Sequence, residues 1–167
     1  TDWRPMYLND YRANGVTFDG TNDYLSTNTL TGVVDGKKVT GSVWFRRSDT
    51  TAASQNIFST APTSFRISMN SSSLFYISGV NGAAATVLDI RAGTVADMNW
   101  HHLMFSADLS DPAKRHVYLD GVSTINVITF IDDIINFTES TNYISHNGVN
   151  KFRGDLADLW IDFGTYI

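Results

Sequence analysis

The stretch NWHHLMFSADLSDPAKRHVYLDGV, residues 99–122, carries the alternation of a β-hairpin. Successive side chains of a strand point to opposite faces, so Leu103, Phe105 and Ala107 line one face and His102, Met104 and Ser106 the other. Val117 and Leu119 meet the apolar face from the returning strand. Asp120-Gly121 then supplies a residue pair that tolerates the positive φ of a tight turn.

The same pattern recurs on both sides of this hairpin. Strands are expected at Val16 to Phe18, Val39 to Arg47, Asn56 to Ser59, Phe65 to Met69, Leu74 to Ser78, Thr86 to Ile90, His101 to Asp108, His116 to Leu119 and Gly154 to Asp162. Asp35-Gly36, Asn81-Gly82 and Asn147-Gly148 add turn signals between them. The segment Ile125 to Phe137 comes closest to a helical spacing, but its β-branched residues allow at most a short helical turn. GVTFDGTNDYL, residues 15–25, reads as strand, tight turn, strand, the first strand pair of the fold. The reading is all-β.

Composition agrees. The chain has 167 residues, 43% hydrophobic and 13% aromatic but only 17% charged, which suits a β-rich domain whose polarity comes from Ser, Thr and Asn. At this length a single domain buries roughly 70% of the surface its unfolded form exposes. Residues 15–167 are expected to form that domain and residues 1–14 an arm or linker, in which Trp3 could anchor a partner. The net charge is −5 and the basic residues are scattered, so nucleic acid is not an expected partner. No apolar run approaches the ~18 residues a membrane span needs, so membrane insertion is not expected. With no cysteine, disulfides, thiolate zinc sites and cysteine nucleophiles are excluded.

Three ordered blocks, GVTFDGTNDYL, the hairpin at 99–122 and FRGDLADLWID at 152–162, together resemble the laminin G-like, concanavalin A-like lectin-glucanase superfamily. That resemblance implies a two-sheet antiparallel jelly-roll sandwich. The FDGTNDYL opening followed by a Gly-Ser-Val-Trp-Phe strand is also similar to jelly-roll domains of tailed-bacteriophage structural proteins, which implies a virion or an extracellular, cell-surface setting. The missing cysteines lean the same way, toward a microbial or viral source.

Because the superfamily includes glucanases, paired carboxylates have to be considered, at about 5.5 Å for retention and further apart for inversion. The chain has one glutamate, Glu139, and lacks the strand-borne Glu-x-Asp-x-(x)-Glu pattern, so no enzyme is expected. No Gly-x-Ser-x-Gly elbow accompanies the histidines, and His101-His102 on one strand point to opposite faces, which suits neither a triad nor a metal. One of the two is expected to pack beneath the sandwich rim.

Calcium is the cofactor that the resemblance implies, with Asp19, the carbonyls near Gly20 to Asp23, and Asp158 as ligands. The alternative for Asp19 is that it caps its own turn. Glycan binding on such a scaffold combines aromatic faces with Asn, Asp, His or Arg, and the candidates are Tyr76, Asn81, Tyr143, His146, Asn147 and Asn150. Each taken singly reads more readily as an ordinary exposed turn residue. Trp44, Trp100 and Trp160 are expected in the core or between the sheets. Two function classes follow: a recognition module for a surface glycan, or a structural domain whose apolar positions, among them Trp3, Tyr7 and Tyr166, contact other subunits, including copies of itself.

Overall fold

The structure, a computed structural model, describes residues 15–51, 53–61 and 63–167. The expected arm at residues 1–14, with Trp3 and Tyr7, lies outside the described residues. In chain order the strands are β1 (Val16–Asp19), β2 (Leu25–Asn28), β3 (Lys38–Arg47), β4 (Gln55–Thr60), β5 (Phe65–Met69), β6 (Leu74–Val80) and β7 (Thr86–Thr94). They continue with β8 (Trp100–Asp108), β9 (Arg115–Leu119), β10 (Val122–Ser123), β11 (Asn126–Phe130), β12 (Thr141–Ile144) and β13 (Arg153–Asp162). One sheet has six strands in the order β1-β13-β3-β8-β9-β10, and the other has seven in the order β11-β7-β6-β5-β4-β12-β2. All pairings are antiparallel, which makes the two-sheet jelly-roll sandwich expected from the sequence. Among the described residues no helix is long and apolar enough to cross a membrane.

The core follows from the period of two. Val39, Val43 and Phe45 of β3 and Leu103, Phe105 and Ala107 of β8 point inward from the six-stranded sheet. Phe65, Ile67, Met69, Phe75, Ile77, Leu88 and Ile90 answer them from the other. Phe45 meets Phe75 across the gap at 4.4 Å between ring centroids, and each such buried side chain stabilises the fold by about 1.5–3 kcal/mol. The β8–β9 hairpin has the expected register, Leu103 opposite Leu119 and Phe105 opposite Val117. Asp120 (φ 54°) and Gly121 (φ 77°) form its continuation into β10 as a two-residue turn.

Four expectations need correction. GVTFDGTNDYL is not a strand pair: β1 joins β13 at one edge of the six-stranded sheet, while β2 joins β12 at the edge of the seven-stranded sheet. The Asp19–Asp23 turn therefore crosses from one layer to the other. Strand β11 was absent from the expected strands: the segment 125–137, expected to hold at most a short helical turn, starts as β11 paired to β7 and then runs irregularly, burying Ile135 and Phe137 in the core. Strand β12 was not foreseen at all, because Thr141–Ile144 is short and shows no alternation of apolar and polar residues.

The fourth correction concerns the tryptophans. Trp44, Trp100 and Trp160 all lie on the outer face of the six-stranded sheet, the last two 39% and 47% exposed. For Trp160 the cause is a bulge. Ala157 pairs with Trp44 but Trp160 pairs with Ser42, so β13 carries one extra residue and everything beyond it changes face. Strict alternation from the inward Leu156 would have buried Trp160.

Candidate functional site

The outer face of the seven-stranded sheet gathers polar and aromatic groups in register. One row across β2, β12, β4, β5, β6 and β7 reads Ser26, Tyr143, Ser59, Arg66, Ser78 and Asp89. The neighbouring row across β4 to β7 reads Asn56, Ser68, Tyr76 and Arg91. Small hydroxyl and amide side chains on β4 leave room for the loop after β12 to lie over them.

That loop is held by buried hydrogen bonds. Ser145 turns the chain at φ 69°, and the His146 carbonyl then accepts from Asn56 Nδ2 at 2.6 Å and Ser59 Oγ at 2.7 Å. Ser68 Oγ donates to Asn56 Oδ1 at 2.6 Å, which orients the amide. Asn56, Ser59 and Ser68 are all buried, and a satisfied buried network of this kind fixes one geometry. The His146 ring is thereby set against Tyr24, centroids 4.8 Å apart and planes at 22°, and against Tyr143 at 5.0 Å and 76°. Tyr24 meets Tyr143 edge-on at 5.9 Å.

The protonation of His146 follows from its surroundings. Burial, and then the charge of Lys151, hold its pKa below the ordinary value, so the ring is neutral at pH 7. The Gly148 N–H donates to Nδ1 at 3.1 Å, so the proton sits on Nε2. Nε2 is then a donor beside two phenol rings.

Farther along the face, Tyr76 lies beneath the Arg66 guanidinium, 5.2 Å from ring centroid to Cζ. Arg66 Nε donates to Ser78 Oγ at 2.8 Å. Arg91, directly across from Tyr76, is bound by both oxygens of Asp89 at 3.2 Å, and the Asp89 carboxylate raises its pKa.

Of the expected glycan candidates, Tyr143 and His146 are in contact and Tyr76 shares their face. Asn147 and Asn150 belong to the same loop, but Asn147 Oδ1 is taken up by the N–H groups of Val149 at 3.2 Å and Asn150 at 2.8 Å. Asn81 sits in the β6–β7 connection, away from this cluster; it donates to Asp133 at 2.8 Å and accepts from the N–H groups of Ala83 and Ala85. Tyr24, Arg66 and Arg91 were missed. The alternation in FRISM and LDIRA places both arginines outward and could have found them.

The metal candidates do not combine. Asp19 Oδ1 accepts from the N–H groups of Thr21 at 2.6 Å, Asn22 at 3.1 Å and Asp23 at 3.4 Å, and the Thr21 bond chiefly lowers its pKa. Asp19 pairs with Arg153, five residues from Asp158 along β13, a strand rise of about 16 Å. One ion cannot bridge them, and the described residues contain no group of three His, Asp or Glu that could hold a metal. Asp19 and Asp158 therefore do not fit a shared calcium cage.

Catalytic arrangements fare no better. Glu139 accepts hydrogen bonds from Ser64 Oγ and Asn136 Nδ2, which ties it into the loops. Ser42 Oγ and His102 Nε2 are 2.7 Å apart, and burial lowers the pKa of His102. Ser42, however, sits on a strand paired on both sides, so the ladder engages the backbone N–H groups that an oxyanion hole would need. His102 instead stacks on Trp44 at 4.5 Å and 8°. His101 is the rim histidine expected from the sequence: it packs 5.6 Å from Phe45, with Nδ1 2.7 Å from Asp120 and Nε2 2.8 Å from Asp97. The outer face of the six-stranded sheet also holds a groove of about 370 Å³ between Ser42, Met104, His116, Tyr118 and Trp160.

The two antiparallel sheets, packed face to face, make this an all-β protein of the concanavalin A-like jelly-roll class. The sequence profile of the concanavalin A-like lectin/glucanases superfamily matches residues 19–162, and the chain belongs to that superfamily. Among curated proteins none matches it in sequence. Similar solved structures include a heptameric SAP-like pentraxin from Limulus polyphemus, 16% identical with a TM-score of 0.61 over 88% of this chain and 74% of that one. Mouse laminin α1 domains LG4-5 are 15% identical with a TM-score of 0.63, covering 92% of this chain. A Bacteroides ovatus protein proposed to bind carbohydrate is 13% identical with a TM-score of 0.64, covering 90% of this chain. This chain spans 42% and 44% of the length of those last two. At such identities the likeness is one of fold.

Proposed function

We propose that this chain is a non-catalytic recognition module that binds a glycan through the outer face of its seven-stranded sheet, displayed on a virion or another extracellular surface. The observation that carries the reading is the Tyr24–Tyr143–His146 cluster, clamped by the buried Asn56–Ser68–Ser59 network. Rigid aromatic rings offer apolar contact to sugar faces at low entropic cost, and the His146 Nε2–H gives a hydroxyl its partner. Membership of a lectin/glucanase superfamily and the fold shared with a protein proposed to bind carbohydrate support it. The test is a broad glycan array probed with the full chain, followed by titration of the hits. Tyr143→Ala is expected to weaken binding at least about tenfold, the loss of a centrally placed aromatic anchor. Absence of any hit at millimolar sugar would overturn the reading.

A second reading has its own observation. Trp100, Met104 and Trp160 are 39%, 43% and 47% exposed on the opposite face, where a structural domain would contact another subunit. Sedimentation at high concentration tests it, and a clean monomer speaks against self-contact.

A further inference from the structure

Of the ten described lysines and arginines, six have an acidic partner. Arg46 pairs with Asp155, Arg91 with Asp89, Arg153 with Asp49 and Lys37 with Asp132, while Lys38 and Lys114 share Asp108. Buried Arg47 donates to Ser73 Oγ and to the carbonyls of Val95 and Thr51. Arg115, with no carboxylate partner among the described residues, is taken up over the Phe130 ring. Arg66 differs. It stands on the outer face of the seven-stranded sheet with no carboxylate within 4.0 Å among the described residues, in a protein whose net charge is −5.

Its orientation is set from two sides. Ser78 Oγ accepts from Nε at 2.8 Å and fixes the guanidinium plane, while the Tyr76 ring supports it from below at 5.2 Å. With Nε engaged, the two Nη nitrogens form the remaining edge of the fork. A planar pair of N–H donors of this kind matches the oxygens of a carboxylate or a sulfate, which a neutral hydroxyl cannot equal. Arg66 shares a row with Tyr143, two strands away across β4, a spacing of about 10 Å. A single chain of sugar residues can therefore lie on the aromatic cluster and carry its charge to Arg66.

We infer that Arg66 is the seat for the carboxylate or sulfate of an acidic saccharide, so that the ligand of this face is an anionic glycan. This inference rests on the glycan reading for the saccharide and on the Arg66 geometry alone for the anion.

The experiment titrates the full chain, followed by backbone amide NMR, with an oligogalacturonate, its neutral methyl ester, a sulfated galactose oligomer, and sodium sulfate at constant ionic strength. Wild type, Arg66→Gln and Arg66→Lys are compared, and melting curves verify that each variant folds. The expected result is that an acidic oligomer binds at least about tenfold tighter than the neutral ester, the scale of one charge-assisted bidentate contact. Arg66→Gln should erase that preference, and Arg66→Lys, a point charge without the fork, should retain part of it. The carboxylate and sulfate arms separate the two possible anions. Equal binding of acidic and neutral oligomers overturns the inference and leaves the glycan reading standing. Sulfate-induced shifts at Tyr76 and Ser78 without binding of any oligomer leave an anion site at Arg66 but overturn both the glycan reading and the assignment of that anion to a saccharide. No shift with sulfate or with either acidic oligomer overturns the inference.

Discussion

Replacing Asn56 by alanine tests whether the buried network beneath the His146 loop organises the aromatic face. In the wild type the amide bridges Ser68 Oγ and the His146 carbonyl, both at 2.6 Å, and the Asn56 side chain is fully buried. Asn56→Ala leaves the Ser68 hydroxyl without its acceptor, at about 1–3 kcal/mol for an orphaned buried group. The His146 carbonyl keeps Ser59 Oγ at 2.7 Å and adds little. With the small void left by the amide, the total is about 2–3 kcal/mol, or a melting temperature lowered by roughly 4–12 °C for a domain of this size. Urea denaturation gives the free energy, and amide exchange at 145–152 shows whether the loop loosens. The double variant Asn56→Ala/Ser68→Ala removes the orphan together with its partner, so it should cost about 1 kcal/mol less than the two single losses added. A loss under about 0.5 kcal/mol for Asn56→Ala, or strict additivity in the double variant, would refute the network.

Gly154 has φ 145°, and a Cβ there would sit 2.0 Å from the Arg46 carbonyl oxygen; Gly154→Ala should cost more than about 4 kcal/mol, and a melting temperature near that of the wild type would contradict the β3–β13 register. Trp160→Ala should cost less than about 1 kcal/mol where Phe105→Ala costs about 3–5, because the bulge turns Trp160 outward; equal losses in denaturation would place Trp160 in the core. Burial opposes the charge on His101, but the hydrogen bonds and charges of Asp97 and Asp120 outweigh it and raise its pKa above the ordinary value of about 6.5. Its stabilisation is thus fully present below that value and is lost as pH rises through the raised folded pKa, so the stability gap between wild type and His101→Gln should shrink as pH rises above about 6.5. A gap that widens over that range would reverse the sign. Since Asp19 already caps its own turn, chelation should leave the melting temperature unchanged, and a rise with millimolar calcium would contradict that assignment.

The all-β class and the register of the central hairpin were legible in the residues, because a strand's faces alternate by local sterics and Leu103, Phe105 and Val117 show that alternation. Turn chemistry was legible for the same local reason at Asp120-Gly121 and at Asp19, whose carboxylate lies within reach of its own following N–H groups. The outward position of Arg66 was available from the same period of two. Pairings between distant segments were not. Whether β1 and β2 pair or part into separate sheets depends on which edges β13 and β12 leave open, and one extra residue in β13 reverses the face of Trp160. The aromatic face is the extreme case: Tyr24, Arg66, Tyr76 and the pair Tyr143 and His146 come from four separate stretches of chain, and their contacts do not exist until the sandwich closes. Local preference acts over a few residues, whereas burial of the shared core selects among the long-range pairings, so the strands belong to the sequence and the site to the packed structure.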